Sequence, residues 1–231
     1  LMAVGSNLSA LWILVANAWM MNPVGAEFNF QTMRMEMVDF WAVLTNEWAQ
    51  AKFVHTVAGG YMTGAIFVMA ISAYYMLRRQ DLQFARSSFR LAAVFGMIAT
   101  LMTIQMGDES GYLVTKDQPT KIAAMEAIWE THEAPAPLTL FAIPDEAAQT
   151  NHAQIGLLLK RYTNDVNAAT PEMIKQAAAD TIPSVTPMFW SFRIMVGSGL
   201  AMALVFVLGL FYSFRNEIAE KAWYLRLAVL A

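Results

Sequence analysis

The chain has 231 residues, of which 57% are hydrophobic and only 14% charged, whereas a soluble domain carries about 25% charged residues. Depletion on that scale, with long uncharged runs, marks a membrane protein, and a net charge of −3 gives no reason to expect a nucleic-acid partner. The absence of cysteine excludes disulfides, thiolate zinc sites and cysteine-held iron–sulfur clusters.

Residues 1–21 form an uncharged apolar span closed by Asn22-Pro23. Leu1 already lies inside that span with no basic residue ahead of it, so no signal peptide is expected. Residues 22–50 are a loop with Arg34 set against Glu27, Glu36, Asp39 and Glu47. Residues 51–77 are a second span, carrying His55. Its Gly59, Gly60 and Gly64 are expected to let a neighbouring helix approach closely. Residues 78–90 hold Arg78, Arg79, Arg86 and Arg90 against Asp81, and residues 91–107 are a short third span. Residues 108–187 are a long loop, acidic from Asp108 to Val185 with eleven acids and five bases. Residues 188–214 are a fourth span, carrying Met195. Residues 215–231 hold Arg215, Lys221 and Arg226 and open a further apolar run at Trp223.

The fold class expected is therefore all-α: a polytopic transmembrane helix bundle of four spans plus the start of a fifth. Both ends are expected to cut through helices of a longer chain. Basic loops stay cytoplasmic, which puts 78–90 and 215–231 inside and 22–50 and 108–187 outside, with all four spans alternating. Within the long loop, Asp117-Gln118-Pro119 reads as a helix start with proline in the first turn. That helix is expected to run through Lys121, Glu126 and Glu130 and to stop at Ala134-Pro135-Ala136-Pro137. Thr170-Pro171-Glu172 reads as a second start, with an N-cap and a dipole-matched acid.

His55 is the one readily ionisable group at neutral pH between Phe53 and Leu77. An imidazole in a span is costly unless something binds it, so it is either hydrogen-bonded to a carbonyl or a ligand to a metal such as haem iron. Met195 in the fourth span could supply a second axial ligand, at a depth differing by roughly 6 Å for four residues of rise. With 17 methionines in the chain, packing is the commoner role. Arg193 needs compensation inside its span, from a haem propionate or from an outer-loop carboxylate. Glu126, Glu130 and Glu133 share a helix face, whereas Lys121 and Glu126 lie at i, i+5 and do not. Asp108 and Glu109 are either a proton relay or a charged helix stop. Ser9 and Asn17 line a polar path or join helices.

Five strings carry a resemblance: Gly5-Ser6-Asn7-Leu8-Ser9-Ala10-Leu11-Trp12, Lys52-Phe53-Val54-His55-Thr56-Val57, Gly107-Asp108-Glu109-Ser110-Gly111-Tyr112, Leu159-Lys160-Arg161-Tyr162 and Phe192-Arg193-Ile194-Met195. Together they cover the length of the chain, which closely resembles the family of subunit I of cytochrome bd ubiquinol oxidase. The resemblance implies that His55 and Met195 are the axial ligands of a low-spin haem b, with Arg193 beside it. It implies a quinol-binding loop over 108–187 in which Lys121 and Glu126 serve quinol oxidation, taking ubiquinol or menaquinol. It also implies proton release by Asp108 and Glu109, and a polar path including Ser9 and Asn17. The high-spin haem b and haem d that reduce oxygen would be held mostly by helices outside this chain. Partners implied are oxidase subunit II, small single-span subunits and membrane lipid, in the bacterial cytoplasmic (inner) membrane. Dozens of residues are missing near Gln154-Ile155-Gly156 relative to longer-loop members. Two competing readings are a quinol-linked membrane b-type cytochrome without oxygen chemistry and a transporter or channel subunit.

Overall fold

The computed structural model describes residues 1–126, 128, 170–172 and 183–231. The expected helix beyond Glu126, Glu130, Glu133, the strings at 154–156 and 159–162, and most of the segment after Thr170 lie outside the described residues.

Helix α1 spans Met2–Met21 and ends at Asn22, whose backbone is extended, immediately before Pro23. An antiparallel hairpin follows, β1 Ala26–Asn29 with β2 Arg34–Met37, paired from Ala26↔Met37 to Asn29↔Arg34. Among the described residues, this hairpin is the one departure from an all-helical reading. Its turn is closed by the Asn29 carboxamide oxygen, which accepts from the main-chain nitrogens of Gln31 at 2.8 Å and Thr32 at 3.3 Å. Asn29 and Thr32 side chains donate to the Glu36 carboxylate and hold its pKa below the ordinary value. Such short side-chain-to-backbone motifs compete with helix wherever Asn and Thr cluster, and an apolar-periodicity reading does not register them. Gly25 enters the hairpin at φ +67, where a Cβ would stand 2.4 Å from the Asp39 carbonyl oxygen.

Asp39 caps α2 (Phe40–Leu44) by accepting from Trp41 and Ala42 nitrogens. Asn46 then caps α3 (Glu47–Leu77), accepting from Trp48 N at 3.0 Å. Its amide also donates to the Asn22 carbonyl at 3.1 Å, tying the end of α1 to the start of α3. Helix α4 runs Leu82–Asp117 and α5 Pro119–Glu126. Helix α6 spans Val185–Phe214, a 3-10 turn covers Ile218–Glu220, and α7 spans Ala222–Leu230.

Among the described residues, four stretches are long and apolar enough to cross a membrane: Met2–Met21, Phe40–Leu77, Leu82–Asp117 and Val185–Phe214. The apolar span at 91–107 is the middle of a much longer helix. Arg86 and Arg90 therefore sit on α4 rather than in a loop, and Asp108-Glu109 does not stop it. Neither acid breaks a helix, and the first proline downstream is Pro119. At 36 residues, α4 is about 54 Å long against a hydrocarbon core of about 30 Å, so both charged ends project beyond the lipid.

The structure forms two compact units, residues 1–111 with 198–231, and residues 112–197. In the first, α3 packs on α1 and α7, and the core gathers Met62, Met69, Phe89, Phe206 and Tyr224. Close approach is not made at Gly59, Gly60 and Gly64, where an added Cβ would meet nothing within 4 Å among the described residues. It is made at Gly96, which takes the Phe206 ring, and at Gly209, which takes the Tyr224 hydroxyl, Met69 and Phe89. The expected glycines lie along an outer stretch of α3, so sequence alone located small residues without locating the partner. In the second unit the described buried residues include Leu113, Val114, Ala124, Glu126, Val185 and Phe189.

Candidate functional site

In the first unit, α3 presents the half-buried His55 to α4. Its Nδ1 lies 3.0 Å from the Thr103 carbonyl oxygen. A carbonyl can only accept, so Nδ1 carries the proton and Nε2 keeps its lone pair. Histidines that ligate metals commonly hold their ring this way, with the outer nitrogen donating to a carbonyl or carboxylate. Gly107, one turn beyond Thr103, makes room: a Cβ there would stand 3.3 Å from His55 Cε1 and 3.6 Å from Nδ1. The two roles open in the sequence, carbonyl partner and metal ligand, are thus compatible, since they use different nitrogens.

Asn17 on α1 accepts from Lys52 Nζ at 2.8 Å, one helical turn before His55. The same ammonium contacts Met21 Sδ at 2.7 Å and lies 5.6 Å from the centre of the Trp48 ring. Asn17 is therefore part of the joint between α1 and α3. Ser9, further along α1, is exposed.

In the second unit, Arg193 on α6 and Glu126 on α5 form an ion pair, Nη2 to Oε2 at 2.8 Å, with side chains 13% and 11% exposed. Arg193 Nη1 also donates to the Met125 carbonyl and, at 3.5 Å, to Phe189 O. The guanidinium lies over the Phe189 ring at 3.5 Å. Of the two compensations expected for Arg193, the structure supplies the carboxylate. Glu126 spends Oε2 on this pair; its Oε1 accepts no hydrogen bond among the described residues. Lys121 is half-buried on α5, and no hydrogen bond joins it to Glu126. Five residues of regular helix turn them roughly 140° apart. Met195 follows Arg193 by two residues, roughly 200° around α6, and is 52% exposed. Asp108 and Glu109 are exposed on α4.

Sequence reasoning brought Arg193 and Glu126 forward separately and did not pair them. It missed Thr103, Gly107 and Lys52 as neighbours of the site. Lys52 and Gly107 stood inside the quoted strings, but Thr103 acts through its backbone, which no residue type announces. No cluster of three or more His, Asp or Glu residues suited to a bare metal ion occurs among the described residues. The His55 imidazole, with its Nε2 lone pair left over, has the chemistry of a haem-iron donor.

The family model for cytochrome bd terminal oxidase subunit I matches residues 1–231. The chain is 37% identical to cytochrome bd-II ubiquinol oxidase subunit 1 of Escherichia coli (strain K12), an alignment covering 99% of this chain and 58% of that protein. That alignment extends over 296 residues, so the relative carries dozens of residues that this chain of 231 lacks. It is 34% identical to cytochrome bd ubiquinol oxidase subunit 1 of Bacillus subtilis (strain 168), covering 99% of this chain and 51% of the relative. Among solved structures, the bd oxidase from Geobacillus thermodenitrificans matches with a TM-score of 0.74 at 24% identity, over 98% of this chain and 52% of that one. The chain spans about half the length of the curated relatives it matches.

Proposed function

The chain belongs to the cytochrome bd terminal oxidase subunit I family, and from that membership we propose that it is part of the haem-bearing subunit of a quinol:oxygen oxidoreductase. With four helices long and apolar enough to cross a membrane among the described residues, it is a multi-pass membrane protein. In this reading it sits in the bacterial cytoplasmic membrane, with 22–50 and 108–187 outside. Quinol, ubiquinol or menaquinol, is oxidised at 108–187. Oxygen reduction, the high-spin haem b and haem d, subunit II and small single-span subunits belong to the complete complex.

From the family resemblance, His55 and Met195 would hold a low-spin haem b, which would supply one-electron exchange. The remaining chemistry belongs to side chains described above. Thr103 fixes the imidazole tautomer and directs Nε2 away from α4. Glu126 Oε1 takes the proton of a quinol hydroxyl, Lys121 donates to a quinol oxygen, and Arg193 holds the Glu126 carboxylate by its other oxygen. Asp108 and Glu109, exposed beyond the lipid on α4, pass protons to the outer water. Ser9 lines a polar path along α1 that ends at the Asn17–Lys52 joint with α3.

The observation that carries the reading is the nearly dry Arg193–Glu126 pair. One arginine ties the candidate proton acceptor to the helix that bears a candidate haem ligand, two residues away. Substitution separates the two functions. Glu126→Gln keeps the shape of the pair while removing the acceptor. In the intact complex it should cut quinol turnover by about 10²-fold, the lower range for loss of a positioned base, with haem absorption unchanged. Turnover equal to wild type removes Glu126 from the mechanism. His55→Ala should abolish the low-spin contribution to the reduced-minus-oxidised spectrum, and an unaltered spectrum defeats the ligand assignment.

A further inference from the structure

At the opposite end of α4 from Asp108, a cleft of about 440 Å³ opens between the first turns of that helix and the end of α6. Its walls include Arg86, Ser87 and Arg90 from α4, and Ser213 and Asn216 from the α6 side. Arg86 and Arg90 are i, i+4 neighbours and so share a face. Neither has a carboxylate within ion-pair distance among the described residues. The nearby Glu217 is taken up by Lys221 at 3.4 Å and Arg215 at 3.9 Å. Arg90 is held in place over the Phe214 ring, 4.7 Å from its centre. Ser213 is only 5% exposed, and its hydroxyl has no hydrogen-bond partner. A buried hydroxyl left unpaired is costly. Helical serines normally relieve that by bonding back to the preceding turn, which Ser213 does not do.

We propose that this cleft binds a phosphodiester, delivered as the headgroup of an anionic phospholipid. Two guanidiniums match phosphate oxygens in geometry and charge, and Ser87 and Ser213 add neutral donors. The backbone nitrogens at the start of α4, where Leu82 and Gln83 line the cleft, add positive potential. The height argues for lipid: the cleft lies where two membrane-crossing helices begin and end. That is the level of the headgroups, and basic residues there attract anionic lipid.

The test uses the intact complex in nanodiscs of mixed phosphatidylglycerol and phosphatidylcholine, with bound lipid read by native mass spectrometry. Wild type retains phosphatidylglycerol preferentially. Arg86→Gln with Arg90→Gln lowers that retention roughly tenfold, the paired lysine variant restores most of it, and Arg78→Gln, outside the cleft, leaves it unchanged. Unaltered haem absorption shows that each variant assembles. If the double variant does not assemble, Ser213→Ala removes the unpaired hydroxyl alone and lowers retention severalfold. Retention equal to wild type in whichever variant assembles overturns the site. Displacement of the bound lipid by inorganic phosphate keeps the phosphate chemistry and overturns the lipid as its source.

Discussion

At the scale of single residues, the informative arrangement is an imidazole held by something other than a side chain. His55 was legible in the sequence because it is the one readily ionisable group in a long apolar run. Its orientation was not legible, because the partner is the Thr103 carbonyl and the space for the ring comes from Gly107. A Cβ at 3.3 Å from Cε1 is tighter than ordinary contact, so the ring must yield by a few tenths of an ångström. Gly107→Ala should therefore tilt the imidazole without removing it. On the proposed haem assignment, the intact complex keeps its wild-type haem content while the haem held by His55 shifts its midpoint potential and opens in part to carbon monoxide. Potentiometric titration and the carbon-monoxide difference spectrum read both effects. A potential and a ligand response identical to wild type would show that α4 does not position His55. Met195, by contrast, was a candidate by its depth in the fourth span, and among 17 methionines only the family resemblance singled it out.

At the scale of elements, the spans were legible and their ends were not. Hydropathy marks where lipid can cover a helix, whereas a helix ends where caps and prolines stop it. Hence α4 overruns its apolar stretch at both ends and α3 begins earlier than Ala51, at an asparagine cap. That cap does two jobs, since Asn46 is 4% exposed and bonds both Trp48 N and the Asn22 carbonyl. Asn46→Ala leaves a main-chain nitrogen and a carbonyl without these partners. It should cost about 1–2 kcal/mol, concentrated where α1 meets α3. Hydrogen exchange of the purified complex should show faster exchange in segments 18–24 and 46–50, with the core around Phe89 and Phe206 unaffected. Uniform exchange across the protein, or none changed at the junction, contradicts a local clasp.

At the scale of the whole molecule, composition conveyed the four candidate crossings found among the described residues, and the placement of arginine gives an expectation for their direction. Of α1, only Val15 and Ala18 are buried, while Leu8, Trp12 and Ile13 are exposed. That is the pattern of a helix facing lipid or protein beyond this chain. Direction rests on the cluster at 78–90 and its bias toward the cytoplasm. The lack of cysteine makes it directly measurable, because a single introduced thiol has no background in this chain. Gln31 lies in the exposed hairpin turn before α3 and Gln80 in the exposed segment after it. With a membrane-impermeant maleimide, Gln31→Cys should label in intact cells and Gln80→Cys only after lysis. The reverse pattern would place Lys121 and Glu126 on the cytoplasmic side, since α4 crosses between Gln80 and them, and would end the proposal that quinol protons leave to the outside. Labelling of both variants from one side would mean that α3 does not cross. The orientation, and with it the sign of any charge separated across the membrane, is thus decided by two thiols flanking one helix.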